Sequence, residues 1–482
     1  MKHLLFAGLL GLAALPGVEA AEIDWEAFDA QTLRHFQALV RMDTTDPPGR
    51  EIEAAEYLVE VLEAEGIPVR TFALEPERPN VVARLEGNGS KRPILIMAHT
   101  DTVNVDPRKW RFGPFSAERE LGYVYGRGTV DDKDNVASAL MAMLTLKRQG
   151  VELDRDVIFL AESGEEGAVE VGIEYMVENH LDEIDAEFCY AEGGGVTRWG
   201  GEVQYASVQT MEKIPRAIQL TARGPAGHGS VPLLDNAVVH LADAVAKIGK
   251  WRIPVRLNET TRTYFERLAS ISSERDAERY LGILHPDPEV RNRSDDFFRA
   301  RSPRHASMIR SSISPTQFNA GYRINVIPSD ATALLDTRLE PTEDPEAFLE
   351  MVREVIDDEA IEVSWAPRNV RPKGTSSLDT EAFRVLEANI AEFYDATTLP
   401  TMSTGATDMA YLRARGIQCY GIGPAIDIED GPRGYGAHSD RERILESELF
   451  RFARFHYEIV KDIAASEALA ARDAPDVAGI AE

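Results

Sequence analysis

The sequence predicts an α/β protein: a sheet covered by helices on both faces, with a smaller α+β unit inserted into it. Three observations carry this expectation. Four short apolar runs, at 93–98, 157–161, 187–191 and 417–422, read as strands buried on both faces. Stretches with apolar residues at three- and four-residue spacing, such as 51–65 and 135–148, read as amphipathic helices before and between them, the alternation expected of a helix-covered sheet. Between about 213 and 367 the texture changes, with half-solvated alternation at 216–222 and 331–339 around a helical stretch at 237–248.

Taken in order, the chain opens with Lys2 and His3 before an apolar stretch over 4–18, and Val18-Glu19-Ala20 resembles a small-residue cleavage site. We read 1–20 as a secretory signal peptide, because the run is shorter than the ~20 residues of a spanning helix. The mature protein is then expected to be exported, periplasmic or secreted, with no stable membrane insertion. The helix at 51–65 is closed by Gly66. Residues 21–212 read as the first part of the larger domain and 213–367 as the insert, which includes a charged, helix-like stretch at 257–312. Residues 368–463 return to the larger domain, and 464–482 read as a flexible tail.

The balance of 52 basic against 81 acidic residues, −29 in all, argues against nucleic acid or an anionic membrane surface as partner, since both select basic patches. Two cysteines, Cys189 and Cys419, are too few for a disulfide framework or a thiolate zinc site, and both sit in apolar runs as buried thiols.

Function is signalled where polar residues interrupt the buried strands. The first run ends in His99-Thr100-Asp101, the second in Glu162-Ser163-Gly164-Glu165-Glu166 and the third in Glu192 before three glycines. The fourth leads by a short loop to His438, and Asp131-Asp132 stands directly before a helix. Sites in open α/β sheets form beyond the carboxyl ends of the strands. Singly, each element has a bland explanation: a surface histidine, a solvated Glu pair, a helix-capping Asp. Together, crowded carboxylates without cations would repel, and burial would raise their pKa values. Bound cations resolve this, and mixed His and carboxylate donors suit zinc or a similar divalent ion. Residues two apart on a strand face the same way, so Asp101 can orient His99 by accepting from one ring nitrogen. Adjacent Glu165 and Glu166 point apart, which lets one bind metal and the other act as base.

At this point the sequence resembles the dinuclear zinc metallopeptidases that include glutamate carboxypeptidase, aminoacylase, carnosinase, succinyl-diaminopimelate desuccinylase and yeast carboxypeptidase S, the last branch most closely. The segments that carry it are MAHTDTV (97–103), YGRGTVDDKD (125–134), ESGEEG (162–167), AEGGG (191–195), GPAGHGSVP (224–232), NVIP (325–328), DTRLEP (336–341), GATD (405–408) and AHSDRE (437–442), in the family's order. The resemblance implies a zinc-exopeptidase-type catalytic domain, with a mixed sheet and helices on both faces, and an inserted lid and dimerisation domain. It implies two Zn²⁺ per chain, with cobalt or manganese as substitutes. His99 and Glu192 hold one ion, Glu166 and His438 the other, and Asp131 bridges both. Asp101 orients His99, and Glu165 is the general base acting on a water between the metals. His228, Asn325 and Arg338 in the insert hold the substrate carboxylate or polarise the scissile carbonyl, and Gly405 belongs to a loop lining the pocket. In dimeric members His228 comes from the second subunit.

Two departures stand out. Asp134 replaces the glycine that often follows Asp-Asp-Lys, and as the opening of a helix it is tolerable there. The stretch at 257–312 is longer than in the simplest members and falls where others dimerise, which leaves the oligomeric state open between monomer and a homodimer through the insert. The expected function is zinc-dependent hydrolysis of amide bonds in small peptides or N-acyl amino acids with a free α-carboxylate. The alternatives are a dipeptidase on the same scaffold and, from a different class, a non-catalytic peptide-binding relative. Trp110, Phe112 and Phe115 read as local packing.

Overall fold

The computed structural model describes residues 22–367 and 370–466. The expected signal peptide and residues 467–482 of the expected tail lie outside the described residues, and Ala464 closes the last helix, Glu446–Ala464. Each of the four apolar runs forms a strand: Ile94–His99, Val157–Glu162, Phe188–Ala191 and Gln418–Gly421. They run parallel as neighbours in one large sheet, with Val157–Glu162 beside Ile94–His99, then Phe188–Ala191, then Gln418–Gly421. Asn80–Leu85 and Val69–Phe72 extend it antiparallel on one side. Glu202–Glu212 continues it on the other, antiparallel to Gln418–Gly421 and parallel to Thr398–Ser403, so the sheet is mixed.

The strand Ile94–His99 shows why these runs are apolar throughout. Ile94, Ile96 and Ala98 face one core, shared with Leu140, Phe36, Phe383 and Phe452 from four helices. Leu95 and Met97 face the other, with Ile173, Met176 and Leu412. Both faces are covered, so neither side of the two-residue alternation is free to be polar. The helix Lys133–Gln149 is buried nearly all round because it lies between the sheet and the helices Trp25–Val40 and Glu446–Ala464, and it ends at Gly150, left-handed at φ 59°.

A separate antiparallel sheet orders Ser312–Ala320, Asp330–Leu339, Ile214–Arg223 and Ile361–Trp365. The helices Ala237–Lys250 and Pro345–Ile356 cover one face through Leu241, Ile248, Phe348 and Val352. The helices between Glu259 and Met308 pack differently from the rest of the insert. Phe265, Phe298 and Leu268 share their core with Met211, Leu399 and Met402 of the large sheet, and the Arg267 guanidinium pairs with Glu387. Their apolar stripe therefore belongs to the larger body, a preference that charge-rich composition concealed.

No described helix is long and apolar enough to cross a membrane. The loop from Gln418–Gly421 to His438 is longer than expected, holding the strand Ala425–Asp427 and the helical turn Asp430–Arg433. Both cysteines are buried and free, and they face each other across the parallel strands Phe188–Ala191 and Gln418–Gly421.

Candidate active site

His99 ends its strand in register with Glu162, at the carboxyl edge of the large sheet. Its Nε2 lies 3.2 Å from Asp131 Oδ1, while Nδ1 lies 3.1 Å from the Asp101 carbonyl oxygen and 3.4 Å from Asp101 Oδ1. The Nδ1–H thus donates chiefly to the Asp101 main chain, which leaves Nε2 as the metal-facing nitrogen. The buried Asp101 carboxylate does more than orient the ring. It accepts the amide of Glu165 at 3.1 Å and that of Glu166 at 3.0 Å, so it fixes the turn that carries both glutamates.

Asp131 is the shared element. One group joins His99, Asp131 and Glu192; a second joins Asp131, Glu166 and His438, each with its donor atoms within 4.8 Å of one another. His438 Nε2 lies 3.0 Å from Asp131 Oδ2 and 2.9 Å from Glu166 Oε1, so the two oxygens of Asp131 serve different groups. The capping explanation for Asp131-Asp132 does not hold: Asp132 occupies the helix N-cap without a side-chain cap bond. Instead its carboxylate accepts the His99 amide at 3.1 Å and the Asn135 side chain at 2.5 Å. Asp134, expected to suit the helix start, is wholly buried, and neither carboxylate oxygen has a partner among the described residues. Burial and the neighbouring Asp132 push it well above the usual carboxylate range.

The electrostatics ask for cations. Burial raises Glu192 far above its ordinary value, and the charges of Glu165 and Asp131 add to the effect. Burial likewise raises Glu165, with Asp408 adding and His99 opposing. Hydrogen bonds to Asp131 and Glu166 push His438 up to about 10. A set of two imidazoles and three carboxylates in two groups sharing one carboxylate fits a pair of divalent ions.

The remaining expected site residues belong to neither donor group. Gly227–His228 pairs with Val326–Ile327, and the Gly229 amide donates to the Asn325 carbonyl at 2.9 Å, so His228 and Asn325 share one exposed ribbon. His228 Nδ1 lies 2.7 Å from Ser230 Oγ. Arg338, on Asp330–Leu339, forks onto Asp336 at 2.7 and 3.1 Å. No hydrogen bond or ion pair among the described residues joins these three to the two donor groups. Gly405 lies in an exposed turn, where an added Cβ would meet only Ser403 Oγ at 3.5 Å.

Sequence reasoning missed several residues that support the site. The Glu442 carboxylate accepts Arg127 Nη1 at 2.5 Å and the Val130 amide at 3.0 Å, bracing the His438 segment against the one before Asp131. Its position inside AHSDRE was a signal that could have been used. Arg371 reaches Glu165 and Asp408, and of this pair's surroundings only Asp408, in GATD, and Glu165, in ESGEEG, fall in family-like segments, whereas Arg371 itself falls in none. Trp110 and Phe112, read as packing, wall a cleft of about 370 Å³ with Tyr125, Tyr435, Asp440 and Arg441. Phe115 fits the packing reading, lying under the Lys133 ammonium.

Comparisons with known proteins bear on the family and the fold. The chain is 27% identical over 382 residues to the N-fatty-acyl-amino acid synthase/hydrolase PM20D1 of Xenopus tropicalis, covering 77% of this chain and 72% of that one. It is 27% identical over 385 residues to the probable carboxypeptidase S-like 2 of Dictyostelium discoideum, with the same coverage of 77% and 72%. Among solved structures, the M20 family metallo-carboxypeptidase Sso-CP2 of Sulfolobus solfataricus superposes with a TM-score of 0.66 at 21% identity, over 89% of this chain and 98% of that one. Residues 95–462 match the profile of peptidase family M20/M25/M40, from the first parallel strand to the last helix. The chain belongs to that family, and it is a metal-dependent hydrolase.

Proposed function

We propose that the protein hydrolyses amide bonds in small substrates with a free α-carboxylate, N-acyl amino acids foremost, after export from the cytoplasm. The observation that carries this is Asp131, shared between two donor groups beside a largely buried Glu165 that lies in neither group. Two divalent ions, zinc foremost, held by His99, Asp131 and Glu192 and by Asp131, Glu166 and His438, would polarise the scissile carbonyl and acidify water. Glu165 takes the proton from the attacking water and returns it to the amine nitrogen as the C–N bond breaks. Asp101 keeps the turn bearing Glu165 and Glu166 in register with His99.

Arg338 is always charged, and its planar fork matches a carboxylate, so a substrate engages it by replacing Asp336. His228 donates to the carbonyl oxygen, with Asn325 beside it. Its exposure suits delivery to a second subunit, and a homodimer through the insert is part of this reading. The cleft walled by Trp110, Phe112, Tyr125 and Tyr435 suits an apolar acyl group, because Tyr435 belongs to the same segment as His438. Similarity to an N-fatty-acyl-amino acid hydrolase supports the same class.

The test is hydrolysis by the metal-loaded protein of N-acyl amino acids, their α-amides and dipeptides. N-acyl amino acids are expected to lead in kcat/KM by at least ~10-fold. Arg338→Ala is expected to cost free acids roughly 10–100-fold, the worth of a charge-assisted hydrogen bond, and to spare amides. Preference for dipeptides, or equal losses on acids and amides, overturns the assignment.

A further inference from the structure

The chain crosses between the large sheet and the four-stranded sheet twice, and both crossings meet at the turn 405–408. On the way out, the carboxylate of Glu212, the last residue of Glu202–Glu212, accepts the Thr407 amide at 2.8 Å and the Thr407 hydroxyl at 2.7 Å. On the way back, after Ile361–Trp365, Arg371 Nη1 donates to Asp408 Oδ1 at 2.7 Å. Its other arm, Nη2, is aimed at Glu165, 3.3 Å from the carbonyl oxygen and 3.4 Å from Oε1. Among the described residues this guanidinium is the one hydrogen-bond partner of the Glu165 carboxylate. The Glu165 side chain is 10% exposed and that of Asp408 is 1% exposed, so water competes little for either contact.

We propose that Arg371 is a positioning residue for the reaction, setting the direction of the Glu165 carboxylate and tying it to the return crossing of the inserted unit. The inference rests on the reading of Glu165 as base. A rigid fork is suited to such positioning, because one arm is anchored on Asp408 at an optimal distance and the fixed geometry of the guanidinium then places the other. The contact to Glu165 is the longer one, which holds the carboxylate without occupying it as fully as a short ion pair would. A lysine at the same place supplies charge but cannot fix two acceptors in one plane.

The experiment is a double-mutant cycle on the metal-loaded protein, with metal content measured for every variant. Arg371→Ala is expected to keep its metal and lower kcat by roughly 10–100-fold with KM nearly unchanged, and Arg371→Lys is expected to recover only part of the loss. In the Glu165→Gln background, where nothing is left to aim, Arg371→Ala should cost less than about threefold more. An ion pair that only supports the fold would cost the same factor in both backgrounds, and that result overturns the proposal. So does a single variant with kcat within about threefold of the parent. If Arg371→Ala does not fold, Arg371→Lys read in the same two backgrounds decides. Near-native turnover by Glu165→Gln itself would instead defeat the assignment of the base, a separate failure visible in its own arm.

Discussion

Glu165 and Glu166 are neighbours in sequence with opposite surroundings, and the contrast is the test of chemistry at the residue scale. Glu166 Oε1 faces His438 Nε2 at 2.9 Å, whereas among the described residues the Glu165 carboxylate hydrogen-bonds only with Arg371. Glu165→Gln removes basicity and keeps size, so metal content is expected to persist while turnover falls by ~10²–10⁴-fold. Glu166→Gln is expected to weaken one of the two ions by removing an anionic donor, as elemental analysis and activity on the same sample will show. Loss of metal from Glu165→Gln would reverse the two roles. Strand alternation paired His99 with the Asp101 carboxylate, but the strand ends at His99 and the ring's shorter contact, 3.1 against 3.4 Å, is to the Asp101 carbonyl oxygen. That Asp101 also fixes the Glu165 and Glu166 amides was not legible, because main-chain hydrogen bonds across 64 and 65 residues leave no pattern in the sequence.

At the scale of elements, the site is assembled from strand ends that agree in register and from loops that must be braced. The parallel strands carry His99 and Glu162 to one edge, and Glu192 follows the third strand directly. The segments bearing Asp131 and His438 lie beside the short antiparallel pair Tyr123–Tyr125 and Arg443–Leu445, and Glu442 adds a brace through Arg127 and Val130. Glu442→Ala leaves the buried Arg127 charge without its partner, and the expected cost is ~3–5 kcal/mol of folding stability. Urea unfolding measures the loss, and metal affinity of the Asp131–Glu166–His438 group should fall with it. A variant as stable as the parent would show that Arg127 has found another partner. His438 itself sits in the left-handed region at φ 62°, a conformation the brace helps to hold in a residue without glycine's freedom.

Over the whole molecule, three histidines outside the site, His35, His305 and His456, have pKa values lowered by burial, His456 furthest. His456 is buried in the helix Glu446–Ala464, neither ring nitrogen has a hydrogen-bond partner among the described residues, and burial lowers its pKa to about 3. A histidine pKa depressed on folding means that the unfolded chain binds the proton first. The contribution is therefore intact above about pH 6.5 and is lost as pH falls towards 3. At pH 4.5 the loss is about 3 kcal/mol, from ~1.4 kcal/mol per pH unit. His456→Leu should remove that slope, so the unfolding free energy of the variant should rise relative to the parent's by about 3 kcal/mol between pH 7 and 4.5. Parallel curves would place the acid sensitivity elsewhere. The sequence by itself determined the parallel strands and the helices between them, because apolar runs are local patterns with a fixed period, and its motifs carried the resemblance that implied five donors with Glu165 as base. The same local reading placed the charged stretch 257–312 wholly within the insert and made the loop to His438 short, whereas the helices of that stretch share a core with Met211, Leu399 and Met402 and the loop holds Ala425–Asp427 and Asp430–Arg433. Only the tertiary structure decided that Asp101 also fixes the Glu165 and Glu166 amides, that Glu442 braces the loops and that Arg371 reaches Glu165. Each of those is a contact between residues far apart in the chain, where a single buried charge chooses its partner by distance and not by spacing.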